Sequence, residues 1–218
     1  MTKKTAAKPA KTPVHAQTRH AQQVRIIGGQ WKRTPLAVVN AEGLRPTPDR
    51  VREATFNWIN HLIDGAWDGL AVLDLFAGTG AMGFEAASRG AASVVLVDTH
   101  TPAITQLELV KAKLGADQVS LFRADAVTVA QSMAARGQCF DLIFLDPPYQ
   151  QDWLMRTLPL CLPLLKAGGL VYAESGAALA AAQDDGGTTP AWLAAWDIVR
   201  QDKAGQVFYH LLQRKQSN

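Results

Sequence analysis

The segment Asp146-Pro147-Pro148-Tyr149 follows the apolar run 140–145 and joins a carboxylate, two residues without a backbone N–H, and an aromatic ring. Proline fixes φ and keeps the residue before it extended, so the segment is rigid and presents carbonyls rather than N–H donors. A carboxylate beside a carbonyl makes an acceptor-only pocket suited to an NH₂ group, and Tyr149 offers a flat face for a base to stack on. The nitrogen of an exocyclic amine is a poor nucleophile because its lone pair delocalises into the ring. Hydrogen bonds from both N–H groups to Asp146 and the Pro147 carbonyl favour a pyramidal nitrogen and aim its lone pair. Catalysis in such a pocket rests on positioning and electrostatics. The released proton has two routes, Asp146 or water. The plain alternative is a strand-terminating turn.

Upstream, Asp74 precedes the turn Ala77-Gly78-Thr79-Gly80, and Gly78, Gly80 and Gly83 spell G-x-G-x-x-G. Glycines at a strand-to-helix turn let the backbone approach a ligand, and the helix N-terminus supplies free N–H groups. Asp98 ends the next strand twenty residues after Gly78, where a carboxylate can accept both ribose hydroxyls. An acid at position 74 would repel a pyrophosphate; it suits a ligand carrying an ammonium and a sulfonium, as S-adenosylmethionine does. A purely structural or capping acid is the alternative at Asp74 and at Asp98. Asp125-Ala126, after a third strand, belongs either at an adenine edge, with Asp125 accepting from the amine, or to a helix cap.

These groups need a scaffold that brings strand ends together. Strand-like runs AVLDLF, SVVLVD, VSLFR, FDLIFLD and GGLVYAES alternate with helical stretches such as 101–114 and 126–135. That alternation predicts βαβ units, a parallel sheet and helices on both faces: an α/β, doubly wound, Rossmann-like architecture. Near-continuous Val, Leu and Ile in the runs agrees with strands buried on both sides. The halves around Ala204-Gly205 predict a C-terminal antiparallel hairpin closing the sheet. Ahead of it, 177–190 reads as a short helix and a loop.

Before the sheet, VRIIGG and PLAVV predict a short hairpin with basic residues near its tip. Thr47-Pro48 marks a helix start, with the hydroxyl as cap, and the helix runs to about Ile63. Three segments result: a basic tail, 1–23, expected to be disordered; a hairpin-helix extension, 24–64; and the ligand-binding domain, 65–218.

Net charge is +3 but unevenly placed. Residues 1–52 hold eleven Lys/Arg against two acids, and 53–218 hold eleven against seventeen. A basic end on an acidic body points to a polyanionic partner. Two cysteines without ligand spacing argue against zinc and for a reducing compartment. No apolar run reaches the roughly 18 residues of a membrane span, and the N-terminus lacks the apolar core of a signal peptide, so a cytoplasmic protein without membrane or metal is expected. No heptad pattern signals assembly, and a monomer is expected.

These residues resemble the amino-group methyltransferases with the (D/N/S)-P-P-(Y/F/W) motif, and within them the RsmD family of bacterial 16S rRNA guanine-N2 methyltransferases. The likeness rests on RIIGGQWKRTPL (25–36), GLRPTPDRVREATFNWI (43–59), VLDLFAGTGAMGFEAASRGA (72–91), DLIFLDPPY (141–149) and VYAES (171–175). It implies methyl transfer from S-adenosylmethionine, leaving S-adenosylhomocysteine, to the N2 amine of a guanine in 16S rRNA, naked or within a small ribosomal subunit or assembly intermediate. Asp146, Pro147, Pro148 and Tyr149 then form the catalytic pocket. Asp74, Ala77, Gly78, Thr79, Gly80 and Asp98 hold the cofactor, with Asp125, Ala126 and Thr47 beside them. Arg25, Lys32, Arg33, Arg45, Arg50 and Arg52 meet RNA or order a lid. Asp98 stands where the family commonly has glutamate, which shortens the reach to the ribose.

Three other readings compete. A DNA or RNA adenine-N6 methyltransferase would use the same pocket on another amine, but a duplex reader usually carries a separate recognition domain. A structured RNA read through shape and phosphates suits the basic extension better. An NAD-type oxidoreductase would need a catalytic His, Tyr or Lys set. His61 and His210 sit in apolar patterns and are expected to be structural. A non-catalytic RNA-binding module would not need Asp74, Gly78, Gly80, Asp98 and the Asp-Pro-Pro-Tyr segment together.

Overall fold

Residues 24–38, 47–148, 152–179 and 189–216 are described by the structure, a computed structural model. The chain alternates β3 (Ala71–Asp74), α2 (Ala81–Arg89), β4 (Ser93–Asp98), α3 (Thr101–Leu114), β5 (Val119–Arg123), α4 (Ala126–Ala135) and β6 (Phe140–Leu145). It continues through α5 (Trp153–Cys161) and β7 (Leu165–Ser175) to the hairpin β8 (Trp196–Ala204) and β9 (Val207–Arg214). One seven-stranded sheet results, in the order β5-β4-β3-β6-β7-β9-β8. The first five of these strands run parallel; β9 pairs antiparallel with both β7 and β8. The expected Rossmann-like sheet with a C-terminal antiparallel hairpin is present.

Successive side chains of a strand point to opposite faces, and both faces are covered here. Val72, Leu96, Phe144, Tyr172 and Leu211 pack on one side with Phe84 and Phe56. Leu73, Val97, Ile143, Val171 and Leu212, their neighbours in sequence, pack on the other with Leu158 and Trp196. Double-sided burial is why the runs are apolar without a break. The chain lays β4 and β5 to one side of β3, then returns to place β6 and β7 on the other. The order reverses between β3 and β6, and ligands of such sheets bind at the carboxyl ends of the strands at that switch.

The basic extension forms β1 (Val24–Arg25), antiparallel to β2 (Pro35–Leu36), and α1 (Asp49–Leu62). Val24, Ile26, Leu36, Val51, Phe56 and Ile59 share a core with Val72 and Phe144, so this segment is built onto the sheet. Its turn is tied to α2. Glu85 accepts from the N–H groups of Ile27 (2.6 Å) and Gly28 (2.8 Å), while Ser88 Oγ accepts from Trp31 N–H (2.9 Å). Gly29 has φ +72°, and a Cβ there would lie 1.8 Å from the Ser88 carbonyl oxygen, so only glycine permits this contact.

Two expectations are revised, and one element is new. Pro48, not Thr47, is the N-cap of α1, and no side chain caps it, because the Thr47 hydroxyl bonds elsewhere. Helix α5 is an element that sequence periodicity did not single out. His61 is exposed on α1, whereas His210 is buried, with its ring between Leu179 N–H and the Ala173 carbonyl (3.2 Å each). The tail 1–23 and most of the expected helix-and-loop region, 180–188, lie outside the described residues.

Candidate active site

Four carboxylates collect at the carboxyl edge of the sheet. Asp74 ends β3, Asp98 ends β4, Asp146 follows β6, and Glu174 lies near the end of β7. Parallel register fixes their spacing: Leu145 is level with Ala173, so Asp146 comes level with Glu174. Glu174 was not singled out as a site residue from sequence. The signal was the acid closing the apolar run 170–173, one strand beyond Asp146.

The glycine turn is held from below by Asp98. Its Oδ2 accepts from Gly78 N–H at 2.8 Å and its Oδ1 from His100 N–H at 2.7 Å. Gly78 and Gly80 both have positive φ, and a Cβ on Gly80 would meet Leu107 and Phe84 at 2.6 Å. Gly83 lets α2 lie against β4, since a Cβ there would reach Leu96 at 2.0 Å. Ala77 and Thr79 are buried in the turn. Asp74 is buried beneath it and accepts from Phe76 N–H at 3.3 Å. Burial, with the Asp98 charge adding, pushes its carboxyl up to about 7, against the lowering effect of the Phe76 and Gly83 amides.

Asp146 meets the N-terminal extension directly. Thr47 Oγ1 lies 3.0 Å from Asp146 Oδ2 and 2.8 Å from Glu174 Oε1, and the Tyr172 hydroxyl donates to that same Glu174 oxygen at 2.7 Å. Desolvation and then the Glu174 charge hold the Asp146 carboxyl well above the usual carboxylate range, although the Thr47 hydroxyl opposes them. Burial and Glu174 raise the Tyr172 phenol as well. The groups that shift Asp74 and Asp146 are other acids, hydroxyls and main-chain amides; none is a cation. Pro147 is buried and Pro148 exposed, while Tyr149 lies outside the described residues.

Asp125 caps α4: its Oδ1 accepts from Thr128 N–H at 2.9 Å and the Thr128 hydroxyl at 3.1 Å, with Ala126 buried beside it. The cap is therefore the reading of Asp125 with an observed partner. Lys32, Arg33 and Arg50 are exposed, and Arg25 is largely exposed with one long contact to Asp49 (3.4 Å). Arg52 differs. It is fully buried, bonded to Asp49 at 2.7 Å and to the Arg25 carbonyl at 2.8 Å. A guanidinium enclosed in this way joins α1 to β1 and is not a surface contact for RNA. Arg45 lies outside the described residues.

Among known proteins, the family described as "Conserved hypothetical protein 95" matches residues 24–213. The Escherichia coli K12 protein named "Ribosomal RNA small subunit methyltransferase D" is 37% identical over 195 residues, covering 88% of this chain and 91% of its own. The Haemophilus influenzae protein of the same name is 33% identical over 202 residues, covering 90% and 97%. The solved structure of yhhF from Escherichia coli, described as a candidate methyltransferase, superposes with a TM-score of 0.71 at 34% identity, covering 88% of this chain and 98% of that one.

Proposed function

The chain belongs to the RsmD family, and we propose that it transfers a methyl group from S-adenosylmethionine to the exocyclic N2 amine of a guanine in 16S rRNA. The observation that carries this reading is the placement of Asp146 and Pro147 at the end of β6, directly beside the Asp74–Gly80 turn that ends β3. A pocket that accepts two N–H bonds thus adjoins a turn built for a nucleoside.

The residues fit S-adenosylmethionine. Asp74 is a buried acid without a cationic partner among the described residues, and a ligand ammonium or sulfonium there would favour its ionised form. Gly78 and Gly80 adopt the positive φ that the turn requires, and Asp98, already rigid through its two main-chain bonds, stands at the β4 end where a ribose is held. When bound, the cofactor supplies an electrophilic methyl carbon. The protein's own work is positional: Asp146 Oδ1 and the Pro147 carbonyl take the two amine hydrogens, and Tyr149 stacks on the base swung out of its helix.

The extension 24–64 is the RNA-facing unit in this reading. Arg25, Lys32, Arg33 and Arg50 are exposed cations on one small structure, suited to phosphates rather than base edges. S-adenosylhomocysteine is the other product, no metal takes part, and the enzyme works as a cytoplasmic monomer on naked rRNA or a small-subunit particle.

The test is transfer of a labelled methyl group to naked small-subunit rRNA, to small subunits lacking the modification, and to duplex DNA, with products digested to nucleosides. N2-methylguanosine from rRNA or subunits is the expected result. N6-methyladenine would keep the pocket and overturn the substrate; no transfer to any sample would overturn the reading.

A further inference from the structure

Two exposed cations at the carboxyl edge of the sheet are seated on aromatic rings instead of carboxylates. Arg156, in the first turn of α5, lies with its guanidinium 4.5 Å from the centre of the Trp153 ring. Lys203, near the tip of the β8–β9 hairpin, lies with its ammonium 4.6 Å from the centre of the Phe208 ring. Neither has an ion-pair partner among the described residues, although residues 53–218 hold seventeen acids against eleven cations. Arg89, also stacked on a ring, is by contrast tied to Glu85 at 2.8 Å. A ring takes the face of a guanidinium, or one side of an ammonium, and leaves N–H donors free. Each contact therefore fixes where the cation stands and keeps its capacity to bind an anion.

Both cations stand beside the candidate active site. Trp153 opens the helix that follows the Asp146 loop, and its ring meets Phe76 at 5.8 Å, nearly edge-on. Phe76 belongs to the glycine turn and donates its N–H to Asp74. Register places Lys203: it pairs with Phe208, and Phe208 pairs with Ser175, the residue after Glu174. Asp146 comes level with Glu174, so Lys203 is near that height, three strands from β6 and roughly 14 Å away at the backbone.

The two also share a face. Leu154 and Leu158 pack α5 on the side that carries Ile143 and Leu212. Phe208 and Lys203 point to that side, because Tyr209, the next residue, packs on the other. Asp202, the acid beside Lys203, is turned with Tyr209 to the far face and accepts from its hydroxyl at 2.9 Å. The N-terminal extension covers that far face, through Val51 and Phe56. Asp146 thus stands at an edge with the extension on one face and this pair of cations on the other.

We propose that Arg156 and Lys203 hold phosphates of the RNA strand that carries the target base, on the side of the crevice opposite the extension. The proposal rests on the rRNA methyl-transfer reading above and adds a second row of contacts to it. A base swung out of its helix leaves a strand that must be held on both flanks, and phosphate contacts supply position without reading sequence. A strand lying along the edge, with its base turned into the Asp146 pocket, meets Arg156 on the glycine-turn side and Lys203 on the hairpin side.

The experiment compares two double variants that remove the same charge. One is Arg156→Ala with Lys203→Ala. The other is Lys113→Ala with Arg136→Ala, exposed cations at the far ends of α3 and α4. Binding to small-subunit rRNA and to small subunits lacking the modification is followed across a salt series, with S-adenosylmethionine affinity and thermal melting measured on each protein. The first pair should weaken RNA binding on the order of tenfold and reduce the salt slope by roughly 0.7–0.9 for each cation removed. S-adenosylmethionine affinity should stay within a few-fold, and the second pair should change the slope by less than half as much. Equal changes in the two pairs would show an effect of net charge alone and overturn the proposal. Unchanged affinity and slope in the first pair would overturn it too, as would a parallel loss of S-adenosylmethionine affinity, which would place Arg156 in the cofactor turn. Lys203→Ala alone, remote from that turn, repeats the test with one cation. Absence of rRNA methylation by wild type would instead overturn the function itself.

Discussion

Asp74 and Asp146 stand at the ends of adjacent parallel strands, in a register that pairs Asp74 with Phe144 and so sets Asp146 two residues further up the crevice. The strands that carry the proposed cofactor turn and amine pocket are therefore adjacent, about 4.8 Å apart at the backbone. The sheet itself sets the distance over which methyl transfer would occur.

Asp74 should couple stability to cofactor binding. Its carboxyl titrates near 7 in the folded protein, against 3.8 as the ordinary value. Between those limits the unfolded chain releases a proton that the folded one keeps, so stability falls as pH rises from about 4 to 7 and then levels off. Asp74→Asn removes that penalty. At pH 8 it should stabilise the ligand-free protein by up to a few kcal/mol, at about 1.4 kcal/mol per pH unit, and weaken S-adenosylmethionine binding at least tenfold. Melting scans at pH 5 and 8 with cofactor titration check both; unchanged cofactor affinity would remove Asp74 from the site.

The same ionisation should govern cofactor affinity in the wild type. A cationic ligand must displace the proton from Asp74 below about pH 7, so affinity for S-adenosylmethionine should fall as pH drops from 8 to 6. Calorimetry in buffers of different ionisation enthalpy would count the proton released.

The exposed cations predict a salt effect. Replacing Arg25, Lys32, Arg33 and Arg50 by Ala together should weaken RNA binding and flatten its dependence on salt, by roughly 0.7–0.9 in slope for each phosphate left without its cation. Arg52→Met should act differently: about 1–3 kcal/mol less stable, through the missing bonds to Asp49 and the Arg25 carbonyl, with little change in salt slope. Filter binding across a salt series separates the two.

Gly29→Ala tests the seat of the extension. Its positive φ and the 1.8 Å approach to the Ser88 carbonyl leave no room for a Cβ, so the destabilisation should exceed about 1 kcal/mol. Because Thr47 lies in the same extension, turnover should fall more than cofactor binding does.

Elements with a strong period were legible from sequence alone. Helices 101–114 and 126–135 and the strands ending at Asp74, Asp98 and Leu145 lie where apolar runs and turn residues put them. What the runs did not carry was neighbourhood. That β9 slots between β7 and β8, and that Glu174 comes level with Asp146, are matters of register between distant strands. Arg52 was misread because an arginine in a basic segment looks the same whether it faces water or Asp49. Thr47 before a proline carried a capping signal, and its hydroxyl found two carboxylates instead.

The most direct test of the pocket is single-turnover methyl transfer by Asp146→Ala, with S-adenosylmethionine binding measured on the same protein. Transfer to small-subunit rRNA should fall by several orders of magnitude while the cofactor dissociation constant moves only a few-fold. Transfer at the wild-type rate would contradict it, because the amine would then be held and activated by something other than the carboxylate at the end of β6.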